Sequence, residues 1–266
     1  MIALSVNVNK IALIRNSREG SFPSVTGYAK NSIQAGANGI TVHPRPDQRH
    51  IRPRDVAELS ELCRDESAVE YNIEGNPFAE PLKEYPGLLS LVKQTQPQQC
   101  TLVPDNSEQL TSDHGFNLKK SAKLLEPIVD ALHSLGVRIS LFMDPDKEQI
   151  DLARELGVER IELYTGPYAL AFEKENGPGS LFNTYYEAAQ HATNIGLGVN
   201  AGHDLNLQNL GQFSAIPGLL EVSIGHALIV DAIDMGLATA VKAYKTLLSN
   251  HIDSQNASTT NTQLKP

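Results

Sequence analysis

The sequence predicts an α/β protein, a closed (β/α)₈ TIM barrel, and three observations carry the prediction. Eight short runs rich in Val, Ile and Leu recur along the chain, most of them ending in a residue able to do chemistry. In a barrel of this kind all eight strand ends converge on one face, which carries the active site. Three helical stretches end in Gly and pass directly into such a run: Gly36-Ala-Asn-Gly-Ile-Thr-Val, Gly136-Val-Arg-Ile-Ser-Leu-Phe and Gly157-Val-Glu-Arg-Ile-Glu-Leu. This is the helix-to-strand joint of parallel α/β folds. The length, 266 residues, suits one barrel of roughly 250 residues with a tail. The rival fold, an open doubly wound sheet, usually shows a Gly-rich turn after its first strand. Here that turn reads Asn7-Val-Asn-Lys-Ile-Ala.

In chain order, strands are expected at 2–8, 39–43, 69–74, 99–104, 137–143, 160–164, 197–200 and 221–224. The runs show no strict alternation of apolar and polar residues, which suits strands covered on both faces. Helices are expected between them. The stretch 24–36 closes at Gly36, and 53–64 opens with Pro53 in its first turn. The stretch 117–135 carries Leu118, Ala122, Leu125, Ile128, Val129 and Leu132 at helical spacing. Helices at 147–156 and 180–195 close at Gly157 and Gly196, and 227–248 is the last long one. Two connections are long, 105–117 and 166–180, and long ordered loops are often functional. The second, with Gly177-Pro-Gly, is expected to act as a lid. The barrel domain is expected to span 1–249. Residues 250–266, mostly Ser, Asn, Thr and Gln, are expected to form a disordered polar tail.

The net charge is -9 and no basic stripe exists, which argues against nucleic acid or an anionic membrane as partner. Cys63 and Cys100 lie far apart without CxxC spacing and read as reduced thiols. The N-terminus lacks the basic and apolar regions of a signal peptide. No apolar stretch approaches the roughly 18 residues of a membrane helix. The expectation is a cytoplasmic protein.

The strand ends hold the chemistry. His43, Arg45 and His50 fall within eight residues after the second strand, with Arg49 and Arg52 beside them. A local positive cluster in an acidic chain points to an anionic substrate, a phosphate or carboxylate; the bland alternative is a solvated basic loop. Glu74 closes the third strand and Glu162 lies within the sixth. If Glu162 faces the lumen, burial raises its carboxyl and makes it an acid or base; if it faces outward, it is a surface charge. Asn200-Ala-Gly-His203-Asp204 and Ile224-Gly225-His226 follow the last two strands. Loops after strands 7 and 8 are the common phosphate site of these barrels, helped by a helix N-terminus. His43, His50, His203, His226 and Glu74 could converge on a metal, yet no HxH or HxxxH pair exists, and no metal is expected. Lys10 is the one strand-end lysine and leaves an imine-forming aldolase or isomerase as an alternative. A non-catalytic barrel that binds a phosphorylated metabolite is another.

Together these residues resemble the pyridoxine 5′-phosphate synthase family. The resemblance runs from residue 4 to about 245. It rests on Gly39-Ile-Thr-Val-His-Pro-Arg-Pro-Asp-Gln-Arg-His-Ile, Asn72-Ile-Glu, Leu102-Val-Pro, Leu110-Thr-Ser, Val137-Arg-Ile-Ser-Leu-Phe-Met-Asp, Ile161-Glu-Leu-Tyr-Thr-Gly-Pro-Tyr-Ala, Asn200-Ala-Gly-His and Ile224-Gly-His-Ala. It implies a cofactor-free barrel that assembles as a homo-octamer. The implied reaction condenses 3-amino-2-oxopropyl phosphate with 1-deoxy-D-xylulose 5-phosphate to pyridoxine 5′-phosphate, inorganic phosphate and water. By matching motif, the resemblance makes His43 a general base, Glu74 a second acid/base group and His203 a proton donor. It places Arg45, His50 and Thr111 on the deoxyxylulose phosphate. It places Asn7 and Arg18 on the aminoketone phosphate, with Gly225 and His226 in a phosphate site and Glu162 lining the pocket.

The chain departs from the family after its first strand. Many members read Asn-x-Asp-His there, in contact with the deoxyxylulose phosphate; this chain reads Asn7-Val8-Asn9-Lys10. Asn9 keeps a hydrogen-bonding side chain without the charge, and Lys10 puts a fixed cation where an imidazole would titrate. Asp204 stands where many members have Gly. Because His43, Glu74 and His203 are intact, the departure reads as a subfamily variant with the same reaction.

Overall fold

The computed structural model describes residues 1–260 except Ser107, Asn176 and Pro178. Eight parallel strands, β1 (Ala3–Asn7), β2 (Gly39–Val42), β3 (Glu70–Gly75), β4 (Gln99–Leu102), β5 (Arg138–Met143), β6 (Arg160–Tyr164), β7 (Gly198–Gly202) and β8 (Leu219–Ile224), pair in sequence order. β8 closes on β1 through Ala3↔Glu221 to Val6↔Ile224. The predicted class and all eight strand positions agree with this barrel.

The strands do alternate, contrary to expectation. Leu4 and Val6, Ile40 and Val42, Tyr71 and Ile73, Cys100 and Leu102 belong to the apolar core. The residues between them turn to the lumen and are polar, as the two-residue strand period requires. There Ser5 bonds Thr41 at 2.7 Å, Asn72 reaches Thr41 at 3.4 Å and the Thr101 hydroxyl donates to Asn72 at 3.1 Å. The Asn200 amide of β7 crosses to Gln99 of β4 at 3.3 Å. Runs such as Ala-Leu-Ser-Val-Asn look nearly uniform because small residues such as Ala and Ser do not stand out as polar positions. Barrel lumens are usually filled by bulky branched side chains; this one is hydrogen-bonded.

The helices are α1 (Asn9–Asn16), α2 (Val25–Gln34), α3 (Pro53–Asp65), α4 (Leu88–Thr95), α5 (Leu118–Ser134), α6 (Lys147–Leu156), α7 (Gly166–Glu175), α8 (Leu181–Asn194), α9 (Leu210–Phe213), α10 (His226–Met235) and α11 (Leu237–Thr260). Ser24 caps α2 by accepting from Gly27 N–H at 3.0 Å, and Asp146 caps α6 through the Glu148 and Gln149 amides. Sequence reasoning did not anticipate α1, α4, α7 or α9. Segment 166–175, expected as part of a loop, is helix α7. The single helix expected over 227–248 is two, because Gly236 takes φ +81° and breaks the run between α10 and α11. Helix α11 runs on past 249 to Thr260; residues 261–266 of the expected tail lie outside the described residues. Both cysteines are free and buried. Among the described residues no helix is long and apolar enough to cross a membrane.

Candidate active site

The C-terminal strand ends surround a cavity of about 410 Å³. Thirteen of the fourteen residues singled out in the sequence line it, from Asn7, Asn9 and Lys10 through His43, Arg45, His50, Glu74, Thr111 and Glu162 to His203, Asp204, Gly225 and His226. Arg18 does not: it is exposed beyond the end of α1. The arginine that α1 does bury is Arg15, paired with Asp55 of α3.

Each side chain is aimed by its element. β1 passes into α1 through Val8 alone; Asn7 Oδ1 accepts from Asn9 N–H at 3.0 Å and turns the chain. The Asn9 side chain then accepts from the backbone N–H of His43 at 2.9 Å, so its amide ties α1 to the end of β2. His43 stands between two carboxylates. Its Nδ1 lies 3.8 Å from Glu74 Oε2 and its Nε2 lies 3.1 Å from Asp105 Oδ2. Asp105, Ser112 and Arg49 escaped the sequence reading as individual site residues. They sit in polar loops without periodicity, and only the closure of the barrel brings Asp105 to His43.

Arg45 is engaged with the loop after β4: it pairs with Asp105 and donates to the carbonyl oxygens of Asn106 and Gln109. Arg49 reaches the Gln109 carbonyl at 2.8 Å. The basic cluster thus staples two loops together over the cavity, with Leu110 at its rim, 90% exposed. His50 accepts from Ile51 N–H through Nδ1 at 2.9 Å. Burial, followed by the nearby His43, Arg45 and Arg49, pushes the His50 imidazole down to about 3. It is therefore neutral and carries its proton on Nε2, a donor without charge.

Glu162 faces the lumen, as one of its two readings required. Burial, then the neighbouring Glu74 and Glu221, raises its carboxyl well above the usual range, which favours the protonated form. Among the described residues its Oε2 has no hydrogen-bond partner. Burial also raises Glu74, only partly offset by His43 and His203. Gly202 of β7 leaves the space that the Glu162 carboxyl occupies; a Cβ there would collide with Oε1.

His203 and Asp204 both adopt left-handed backbone, φ 90° and 59°, a conformation that costs non-glycine residues energy and persists where neighbours impose it. Thr165 supplies part of that grip by donating to the carbonyls of Gly202 and His203. Asn209 donates to the Asp204 carbonyl at 3.2 Å. The imidazole bridges Asp204 (Nδ1, 2.8 Å) and Thr111 (Nε2, 2.8 Å), with its edge on Tyr164. The hydrogen bond to His203, outweighing burial, holds the Asp204 carboxyl low, with further help from His203, His226 and Lys10. Lys10 and Asp204 are thus electrostatic neighbours of opposite sign. Among the described residues no group of three or more His, Cys, Asp or Glu side chains could hold a metal ion.

The family described as "Pyridoxal phosphate biosynthesis protein PdxJ" matches residues 4–250. The chain belongs to this family. The pyridoxine 5'-phosphate synthase of Xanthomonas axonopodis pv. citri (strain 306) is 55% identical over 251 residues, covering 94% of this chain and 98% of the relative. That of Xylella fastidiosa (strain M23) is 51% identical over 248 residues, covering 93% and 95%. Among solved structures, a phosphoribosyl anthranilate isomerase from Thermus thermophilus superposes with a TM-score of 0.54 at 12% identity, over 94% of this chain and 99% of that one. That likeness is one of fold alone. Glu74 and Glu162 of the lumen meet His43 and His203 on one cavity, reached from β2, β3, β6 and β7.

Proposed function

We propose that this chain is a pyridoxine 5′-phosphate synthase, joining 3-amino-2-oxopropyl phosphate to 1-deoxy-D-xylulose 5-phosphate and releasing pyridoxine 5′-phosphate, inorganic phosphate and water. The observation that carries the reading is the meeting of His43, Glu74 and His203 on one cavity. Forming an imine, expelling water and phosphate and closing an aromatic ring need repeated proton transfers at neighbouring atoms. Each well-placed acid or base contributes roughly 10²–10⁴-fold.

In this reading His43 takes protons from the condensing carbon skeleton and Glu74 beside it receives and returns them. His203 delivers a proton to the departing hydroxyl from across the cavity. Glu162, held neutral, donates a hydrogen bond to developing negative charge. His50, Thr111 and Arg45 hold the deoxyxylulose phosphate. Lys10 adds a positive charge beside the neutral Asn9, whose side-chain oxygen is taken by the His43 backbone N–H. Gly225 and His226 open helix α10, whose N-terminal amides suit a second phosphate, with Asn7 beside them. Arg18 takes part only if the 17–21 turn folds inward over the aminoketone phosphate. Asp204 takes part through His203. We assign the chain to the cytoplasm as a single barrel domain and a homo-octamer, without cofactor.

The test is direct. Purified protein with both phosphorylated substrates should yield pyridoxine 5′-phosphate by absorbance and one equivalent of inorganic phosphate, and neither when one substrate is omitted. Silence with both substrates present overturns the reading.

A further inference from the structure

Asp105 carries more of the site than its place in a polar loop suggests. Its side chain is 4% exposed. One oxygen, Oδ2, receives His43 Nε2 at 3.1 Å, Arg45 Nη2 at 2.5 Å and the Ser112 hydroxyl at 3.2 Å. Its backbone is held too, the carbonyl accepting from the Asn76 amide. Burial alone would raise this carboxyl; His43, Arg45 and Ser112 outweigh burial and keep it below the usual range. It is therefore an ionised, acceptor-only group. A nitrogen facing such a group must carry a proton, and in a neutral imidazole the other nitrogen then has the lone pair.

We infer that Asp105 is a positioning residue for the reaction: it holds the His43 ring in the tautomer protonated at Nε2, so that Nδ1, the nitrogen turned toward Glu74, is the basic one. The His43 backbone N–H is tied to Asn9, which fixes the point from which the ring reaches Asp105. The same carboxylate anchors Arg45, so the base and the loop staple share one support. This rests on the proposed role of His43 as a base. The alternative is that Asp105 serves Arg45 alone.

The two separate by experiment. ¹⁵N NMR of the histidine-labelled, substrate-free protein reads which ring nitrogen bears the proton, with His43 assigned by the loss of its signals in His43→Gln. We expect the proton on Nε2 in the wild type and a mixed tautomer in Asp105→Asn, whose amide offers either an acceptor or a donor. With both substrates, Asp105→Asn should lose about 10²-fold in kcat, the low end of what one positioned base supplies. Asp105→Glu should restore the Nε2 proton and part of kcat. A wild-type proton on Nδ1 at the assay pH overturns the inference, as does an Asp105→Asn protein with unchanged tautomer and a loss confined to KM. If the wild type makes no product, the proposed reaction fails while the tautomer, read without substrate, still decides the inference. Should Asp105→Asn not fold, the wild-type tautomer and Asp105→Glu decide it.

Discussion

At the scale of single residues, the site trades stability for chemistry. Glu74 is a buried carboxyl raised by its desolvation, so ionising it for base work costs the fold. Glu74→Gln should therefore lower kcat by about 10²–10⁴-fold and, at pH 8, leave the melting temperature unchanged or higher. His43→Ala and His203→Ala should lower kcat over the same range with the barrel still folded by circular dichroism. Near-normal turnover in all three variants would remove these residues from the mechanism. Gly202 tests Glu162 without touching it. A methyl group there collides with the Glu162 carboxyl, and overpacking of this sort costs about 1–3 kcal/mol. Gly202→Ala should lower kcat more than Gly211→Ala, where the nearest atom lies 3.9 Å away. Equal kcat in the two variants would mean that the Glu162 position is not critical.

At the scale of elements, β2 and the loop after it depend on α1 from outside the cavity. Arg15 and Asp55 form a buried, two-pronged ion pair, and Arg15 also donates to the His50 carbonyl at 3.1 Å. Asn16 donates to that same carbonyl at 2.8 Å. Asp55 meanwhile accepts from Arg52 N–H at the start of α3. Removing Arg15 leaves a buried carboxylate short of its cation, a change worth about 3–5 kcal/mol. Arg15→Met should thus unfold at lower urea and raise KM for the deoxyxylulose phosphate, since the His50 carbonyl loses one of its two donors and keeps only Asn16. Adding Asp55→Asn removes the orphaned charge and should return part of the stability. A melting curve like the wild type's in Arg15→Met would show the pair to be neutral. None of this was legible in the sequence. Arg15 and Asp55 are forty residues apart, and nothing in their spacing marks them as partners. Helices that ended in Gly were legible, because a helix stop has local chemistry; α1, α4, α7 and α9 were missed because they open on no strong cap or hide in short runs.

At the scale of the molecule, the barrel was readable from its repeating joints, while its polar filling was not. Seeing that Ser5, Thr41, Asn72 and Gln99 point inward requires the register, and the register exists only once the strands pair. That filling has an energetic consequence at the end of the lumen opposite the active site. There Arg160 lies 3.5 Å from Glu221, and Arg138 pairs with Glu70. Burial, only partly opposed by Arg160, raises the Glu221 carboxyl to about 7. The native state therefore binds this proton more tightly than the unfolded chain does. Its contribution to stability is complete below the unfolded value of 4.5 and is lost as pH rises through about 7. At 1.36 kcal/mol per unit the swing is about 3 kcal/mol. Glu221→Gln keeps an acceptor for Arg160 and has no proton to lose. Urea denaturation of both proteins from pH 5 to pH 8 should therefore show the variant gaining on the wild type by up to that amount. Glu221 also helps to raise Glu162, so the difference reports the buried charge of Glu221 together with its effect on that neighbour. Parallel curves across the range would mean that Arg160 fully compensates the buried charge and that the lumen's far end is electrostatically settled at every pH.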